Sequence, residues 1–382
     1  MFYWNGQAFW RFIYNSFIHN RGTNYRLTTK RLGALLTALA IYLPAEAIIW
    51  SGLLLDDLIY PDYEDIKIKE PVFIIGNPRS GTTFLQRLLA RDTKTFLSMR
   101  TWEIFGAPSI LMRRFVRNIL RIGRTIGVPI TRRIRRMEKL WKESDAIHRL
   151  KLRSPEEDDL LLIHIFSTIR IWSYAAMLKE AHPYIYYDEM ISSKDKKRIM
   201  DFYEGCIQRH YYYHGGPKRH YLSKNPNFTP AIDTLLSKYP DAKFIYLIRN
   251  PLNAVPSHLS LKEREWQMLG SPLEDYACRE FILEASEHWY KYPMSVLKNL
   301  PDDQKIIVKF EDLIKDAELV VKQIYDRFGF SISETFDSIL NYETDRARNH
   351  QSKHTYSLDE MGLTREQIMT RYKDVFSEFD YS

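Results

Sequence analysis

Pro71-Val-Phe-Ile-Ile-Gly-Asn-Pro-Arg-Ser-Gly-Thr-Thr83, running on into Phe84-Leu-Gln-Arg-Leu-Leu89, decides the fold of this 382-residue chain. The run from Pro71 to Ile75 is continuously apolar and of strand length, the mark of a strand buried on both faces in a parallel sheet. Phe84, Leu85, Leu88 and Leu89 then recur at helical spacing. The loop between them is bounded by Gly76 and Gly81, which let a ligand approach the backbone closely. A strand, such a loop and a helix together aim main-chain N–H groups at a phosphate. Ser80, Thr82 and Thr83 add hydroxyl donors and Arg79 adds a cation. A plain glycine turn requires none of these, so the stretch reads as a phosphate-binding loop. In triphosphate-binding loops a lysine follows the second glycine, and magnesium sits nearby. Here Thr82 takes that place, which argues against a magnesium-dependent phosphoryl-transfer enzyme, the alternative reading.

Three further stretches extend the picture. Ala242-Lys-Phe-Ile-Tyr-Leu-Ile248 is a second strand that ends in Arg249-Asn-Pro251, with Ser257 eight residues beyond Arg249. An arginine at a strand's carboxyl end and a serine two turns into the next helix can converge on one phosphate, at the edge where open α/β sheets bind ligands. Pro256 predicts a bend in that helix. Tyr221-Leu-Ser-Lys-Asn-Pro226 is a short strand ending in Lys224, and Ile306-Ile-Val-Lys-Phe-Glu-Asp312 is a later one.

In these residues the chain resembles the PAPS-dependent sulfotransferases, where PAPS is 3′-phosphoadenosine-5′-phosphosulfate. Pro78-Arg-Ser-Gly-Thr-Thr83 is similar to the loop of the bacterial and tyrosylprotein branch. The resemblance implies a P-loop-like α/β three-layer sandwich with a central parallel sheet. It implies PAPS as co-substrate and no metal. Pro78, Arg79, Ser80, Gly81, Thr82 and Thr83 would hold the 5′-phosphosulfate end, and Arg249 and Ser257 the 3′-phosphate. Lys224 matches the family lysine that supports the leaving group. Phe310 stands where a tyrosine is often found, which removes a hydroxyl contact. Lys353-His-Thr-Tyr-Ser357 resembles a C-terminal loop that closes over the donor.

Sulfuryl transfer, like phosphoryl transfer, needs positioning, charge stabilisation and one proton acceptor. A sulfate monoester carries less charge than a phosphoryl group, so cationic side chains suffice where a kinase uses magnesium, and Arg79 with Lys224 is the expected pair. Two residues compete for the base. Glu103, in Arg100-Thr-Trp-Glu103, falls three residues further from the loop than the glutamate of the tyrosylprotein branch. His148 titrates near neutrality and matches the histidine base of cytosolic members. It precedes Ser154-Pro-Glu-Glu-Asp-Asp159, which also reads as a helix start. Glu103 ranks first.

Composition places these parts. Residues 70–382 form the catalytic domain, with an insertion at about 105–215 for acceptor recognition, and residues 1–69 a helical appendage. Between Arg113 and Lys142 eleven basic residues face a single acid, Glu138, which leaves the rest of the chain at −3 against a total of +7. Arg113, Arg117, Arg121 and Arg124 share one helical face, and Phe115, Ile119, Ile122 and Ile126 another. The patch is either a solvated face with an ordinary buried side, or a surface for an anionic membrane or acceptor. Residues 32–55 are mostly apolar and long enough to cross a bilayer, but Pro44 and Glu46 interrupt them. A pair of packed or interfacial helices is expected there. Two cysteines, Cys206 and Cys278, suit a reducing compartment, so a cytoplasmic enzyme in peripheral contact with the membrane is expected. Its acceptor would be a lipid or a glycan, and nothing points to nucleic acid. A non-catalytic nucleotide-binding protein is the remaining alternative.

Overall fold

The computed structural model describes residues 3–127, 152–348 and 357–381. His148 and Lys353, and the part of the basic patch beyond Gly127, lie outside them.

Five parallel strands form the central sheet: β1 (Val72–Gly76), β2 (Phe96–Leu97), β3 (His220–Lys224), β4 (Lys243–Ile248) and β5 (Lys305–Lys309). Their spatial order is β2-β3-β1-β4-β5, so β1 sits at the centre. Val72, Phe73, Ile74 and Ile75 are all fully buried, as the unbroken apolar run requires of a central strand. Alternate residues feed two cores. Phe73, Ile75, Phe244 and Tyr246 join the larger one, while Val72, Ile74, Ile245 and Leu247 pack with Leu85, Leu88, Val321 and Ile324 on the other face. Helices therefore cover both faces, giving the expected three layers.

The helices used below are α1 (Gly6–Phe17), α2 (Thr29–Ile59), α3 (Thr82–Leu89), α4 (Thr101–Phe105), α5 (Ile110–Thr125), α6 (Ile169–Tyr174), α7 (Ser193–Tyr213), α8 (Pro251–Leu269) and α9 (Arg279–Leu297). Two expectations need correction. Residues 32–55 are not a helix pair: α2 runs unbroken through Pro44. Proline removes one ladder hydrogen bond. Here polar anchors on both sides of it, Tyr42 to the Ile163 carbonyl and Glu46 to His164, keep the helix in line. Arg113 does not belong to the exposed basic face. It is fully buried, donating from Nε to the Ala107 carbonyl and from Nη1 to His210 Nδ1. Pro256 lies inside α8, as its place in the sequence requires.

Parallel register brings the carboxyl ends of the strands to one edge. Ile74 pairs with Lys224, Gly76 with Leu247, and Ile248 with Lys309. The loops after β1, β3, β4 and β5 therefore open side by side.

Candidate active site

The loop after β1 is shaped by its glycines. Gly76 has φ +136°, and a Cβ there would lie 2.2 Å from the Leu247 carbonyl oxygen of the neighbouring strand. Gly81 has φ +87°, and its Cβ would meet the Phe310 ring at 2.7 Å. Thr229 fastens the start of the loop from below, accepting from the Gly76 amide at 2.9 Å and donating to its carbonyl at 3.1 Å. The buried hydroxyl of Ser80 has no partner among the described residues. Helix α3 begins directly after Gly81, so its first N–H groups point into the loop.

The structure brings the two candidate phosphate sites together. Arg79 Nε donates to Ser257 Oγ at 3.0 Å, and Arg249 Nη1 donates to the Arg79 carbonyl at 2.8 Å. Phe310 does more than lack a hydroxyl. Its ring lies 4.2 Å from the Arg249 guanidinium carbon and fills the space over Gly81, so one side chain supports both sites.

Lys224 ends β3 almost wholly buried. Its Nζ donates to Thr83 Oγ1 at 3.1 Å and to Glu157 Oε1 at 2.5 Å. Burial, above all, pushes its ammonium down to about 7; nearby carboxylates oppose the shift and Arg170 adds to it. The other Glu157 oxygen pairs with Arg170 Nη2. Arg170 Nε in turn donates to Asp159 Oδ2 at 2.8 Å, which also accepts from Asn227 at 2.7 Å. Asp158 points into the core, accepting from Tyr203, Tyr221 and Ser223 at 2.5 to 2.8 Å. The acidic run thus starts a 3₁₀ helix, Asp158–Ile163, with the consecutive carboxylates sent in different directions. Sequence reading recognised the helix start and missed that Glu157 and Arg170 enter the site. The only signal was a run of four acids where a helix cap needs one.

The loop after β1, Glu157, Arg170, Asn227 and Arg249 line a cavity of about 330 Å³, with Lys224 and Ser257 just behind its wall, bonded to Thr83 and Arg79. Arg79, Thr82, Thr83, Glu157, Arg170 and Arg249 form its polar wall, and Ile169, Leu261, Phe281, Ile282 and Trp289 an apolar one.

Glu103 is not among the lining residues. Its Oε2 accepts from the Arg100 amide at 2.8 Å, closing the N-terminus of α4, and its Oε1 accepts from His214 Nε2 at 3.0 Å. Burial would raise its carboxyl, but His210, the His214 N–H, Arg113 and the Arg100 amide outweigh burial and hold it well below the usual carboxylate range. A buried carboxylate so fully occupied is a poor proton acceptor. Glu103, His210 and His214 place ligand atoms within 4.8 Å of one another, as a metal site would. Arg113 makes the cluster a poor fit for a cation, because its guanidinium donates to His210 Nδ1 at 3.0 Å and sets a fixed positive charge among the donors.

Comparison with known proteins agrees with this geometry. The profile of the Sulfotransferase family matches residues 71–334. The omega-hydroxy-beta-dihydromenaquinone-9 sulfotransferase Stf3 of Mycobacterium bovis is 22% identical over 326 residues, covering 81% of this chain and 76% of that protein. The structure superposes on sulfotransferase STF9 of Mycobacterium avium with a TM-score of 0.68 at 18% identity, over 87% of this chain and 82% of that one. For sulfotransferase STF1 of Mycobacterium tuberculosis the TM-score is 0.66 at 18% identity, over 96% of this chain and 91% of that one.

Proposed function

The chain belongs to the sulfotransferase family, and we propose that it moves a sulfuryl group from PAPS to a hydroxyl of a lipid acceptor. One observation carries the donor reading. The phosphate loop and Arg249 line a single cleft at the carboxyl edge of the sheet, and Lys224 and Ser257 stand directly behind its wall, bonded to the lining residues Thr83 and Arg79, so one nucleotide with two charged ends can span both phosphate sites.

In this reading loop residues 78–83 take the 5′-phosphosulfate, and Arg249 and Ser257 take the 3′-phosphate. The acceptor oxygen attacks sulfur in line, and the bond from sulfur to the 5′-phosphate oxygen breaks. Lys224 donates to that leaving oxygen, and Arg79 faces the sulfuryl oxygens. The acceptor's proton goes to Glu157, the carboxylate that faces the cleft beside Lys224. When Lys224 turns to the leaving oxygen, Glu157 Oε1 is released to accept it. Glu103 keeps a structural role at α4.

A lipid acceptor is supported by the apolar residues Phe281, Ile282 and Trp289 that line the same cavity as the loop. It also fits the relative Stf3, whose name specifies a menaquinone-derived acceptor. Cys206 and Cys278 are both buried and free, which suits a reducing, cytoplasmic setting. The test is transfer of ³⁵S from labelled PAPS into lipid, glycan and protein fractions of a cell extract. Label should enter the lipid fraction and vanish with Lys224→Ala. Label in glycan alone would overturn the acceptor class, and label in none the donor.

A further inference from the structure

Helix α2 has two faces of opposite character. Arg31, Leu35, Glu46, Ile49, Leu53 and Asp56 recur at helical spacing on the buried side. Polar side chains anchor the helix along its whole length. Arg31 donates to the Leu269 and Ala175 carbonyls, Glu46 pairs with His164 Nδ1 at 2.7 Å, and Asp56 accepts from the Ile110 and Leu111 amides at 2.6 and 2.9 Å. A helix fastened at both ends and in the middle is not a free transmembrane span.

The opposite side is unlike a soluble surface. From Gly33 to Ile59, every exposed position is apolar, glycine, proline, serine or threonine. Leu36 is 54% exposed, Ile41 67%, Ile48 62% and Leu58 77%. At 1.5 Å per residue the stripe is about 40 Å long, well beyond the isolated apolar residues ordinary on a surface. Trp10 and Ile18 of α1 are exposed as well.

Helix α5 continues the pattern. It starts against α2, with Met112 and Ser109 packed on Gly52. Arg113 is buried, and Arg114 and Arg117 lie over Tyr60 and Tyr213, 4.4 and 5.4 Å from the ring centroids. Phe115, Ile119, Ile122 and, just past its end, Ile126 are exposed large apolar residues. Its first cations lean on the protein, while its large apolar side chains face out beside Arg121 and Arg124 instead of packing on the core as in an ordinary surface helix.

Charge selects the occupant of this surface. The exposed charged residues among positions 3–60 are Arg11, Arg21, Arg26 and Lys30, all positive. Arg121 and Arg124 are exposed on α5. We infer that α2 and α5 lie flat on an anionic bilayer, their apolar faces in the headgroup–acyl boundary and these cations among the lipid phosphates. This goes beyond the transfer reaction and does not depend on it.

The test uses the full chain with vesicles of phosphatidylcholine alone or with 30% phosphatidylglycerol. The enzyme should float with the mixed vesicles at low salt, at least tenfold less with neutral ones, and be stripped by alkaline carbonate. Ile41→Glu/Ile48→Glu/Leu58→Glu alters only exposed positions, so it should release the enzyme while thermal stabilisation by adenosine 3′,5′-bisphosphate (PAP) is unchanged. Loss of that stabilisation in wild type as well would refute the donor site and leave this surface standing. Equal flotation of wild type and variant, resistance to carbonate, or a wild-type dimer that ignores both vesicles would overturn the proposal, the last assigning the stripe to a second copy.

Discussion

At pH 8, binding of PAP should draw nearly one proton from solution, and Lys224→Met should abolish the uptake. Lys224 is buried beside Thr83 and Glu157, with its ammonium pushed down to about 7. At pH 8 about one molecule in eleven therefore carries that proton. Phosphate oxygens placed at Nζ favour the charged form and return it toward its ordinary range. The expected uptake is about 0.9 proton per PAP at pH 8, where the nucleotide's own phosphates, titrating near pH 6, are already ionised. Isothermal titration in two buffers of different ionisation enthalpy reads this number directly. The same shift has a stability signature. Between about pH 7 and 10.5 the unfolded chain holds this proton and the free native protein does not, so the lysine's cost is full below pH 7 and relieved as pH rises. Wild type should thus gain up to about 5 kcal/mol relative to Lys224→Met across that window. Uptake unchanged in Lys224→Met, or near zero in wild type, would refute the placement of the donor's phosphate at Lys224.

Three other outcomes follow from the geometry. Glu157→Gln should lower kcat about 10²–10⁴-fold with little change in the KM for PAPS, whereas Glu103→Gln should cost less than about tenfold in kcat and chiefly lower Tm. Arg249→Ala, which removes a charged donor near Ser257, should weaken PAP about 10–150-fold and adenosine 5′-phosphosulfate much less, as measured by titration. Gly76→Ala should destabilise by more than about 4 kcal/mol, seen as a large fall in the denaturation midpoint, because its Cβ would lie 2.2 Å from the Leu247 carbonyl oxygen at φ +136°.

The elements that carry the expected donor site were legible because they depend on short-range order. A buried strand, its loop and its helix are contiguous, and parallel pairing carries Lys224 and Arg249 to the same edge as Gly76. Glu103 reads as a base in sequence because a capping box and a catalytic glutamate look alike there; His214 and Arg113, which surround it in the interior, come from just past α7 and from α5. Glu157 was hidden for the converse reason. Four acids in a row read as one helix start, and only contacts with Tyr203, Tyr221, Arg170 and Lys224 sort them into separate tasks. Continuity of α2 through Pro44 likewise rests on tertiary anchors that no local propensity reports.

A crystal structure of the PAP complex tests the central claim most directly. The 5′-phosphate should sit within hydrogen-bonding distance, about 3 Å, of Lys224 Nζ, Thr83 Oγ1 and the amides of the loop after β1, with the 3′-phosphate held by Arg249 and Ser257. A nucleotide bound in the opposite direction, or away from the carboxyl edge of the sheet, would contradict it.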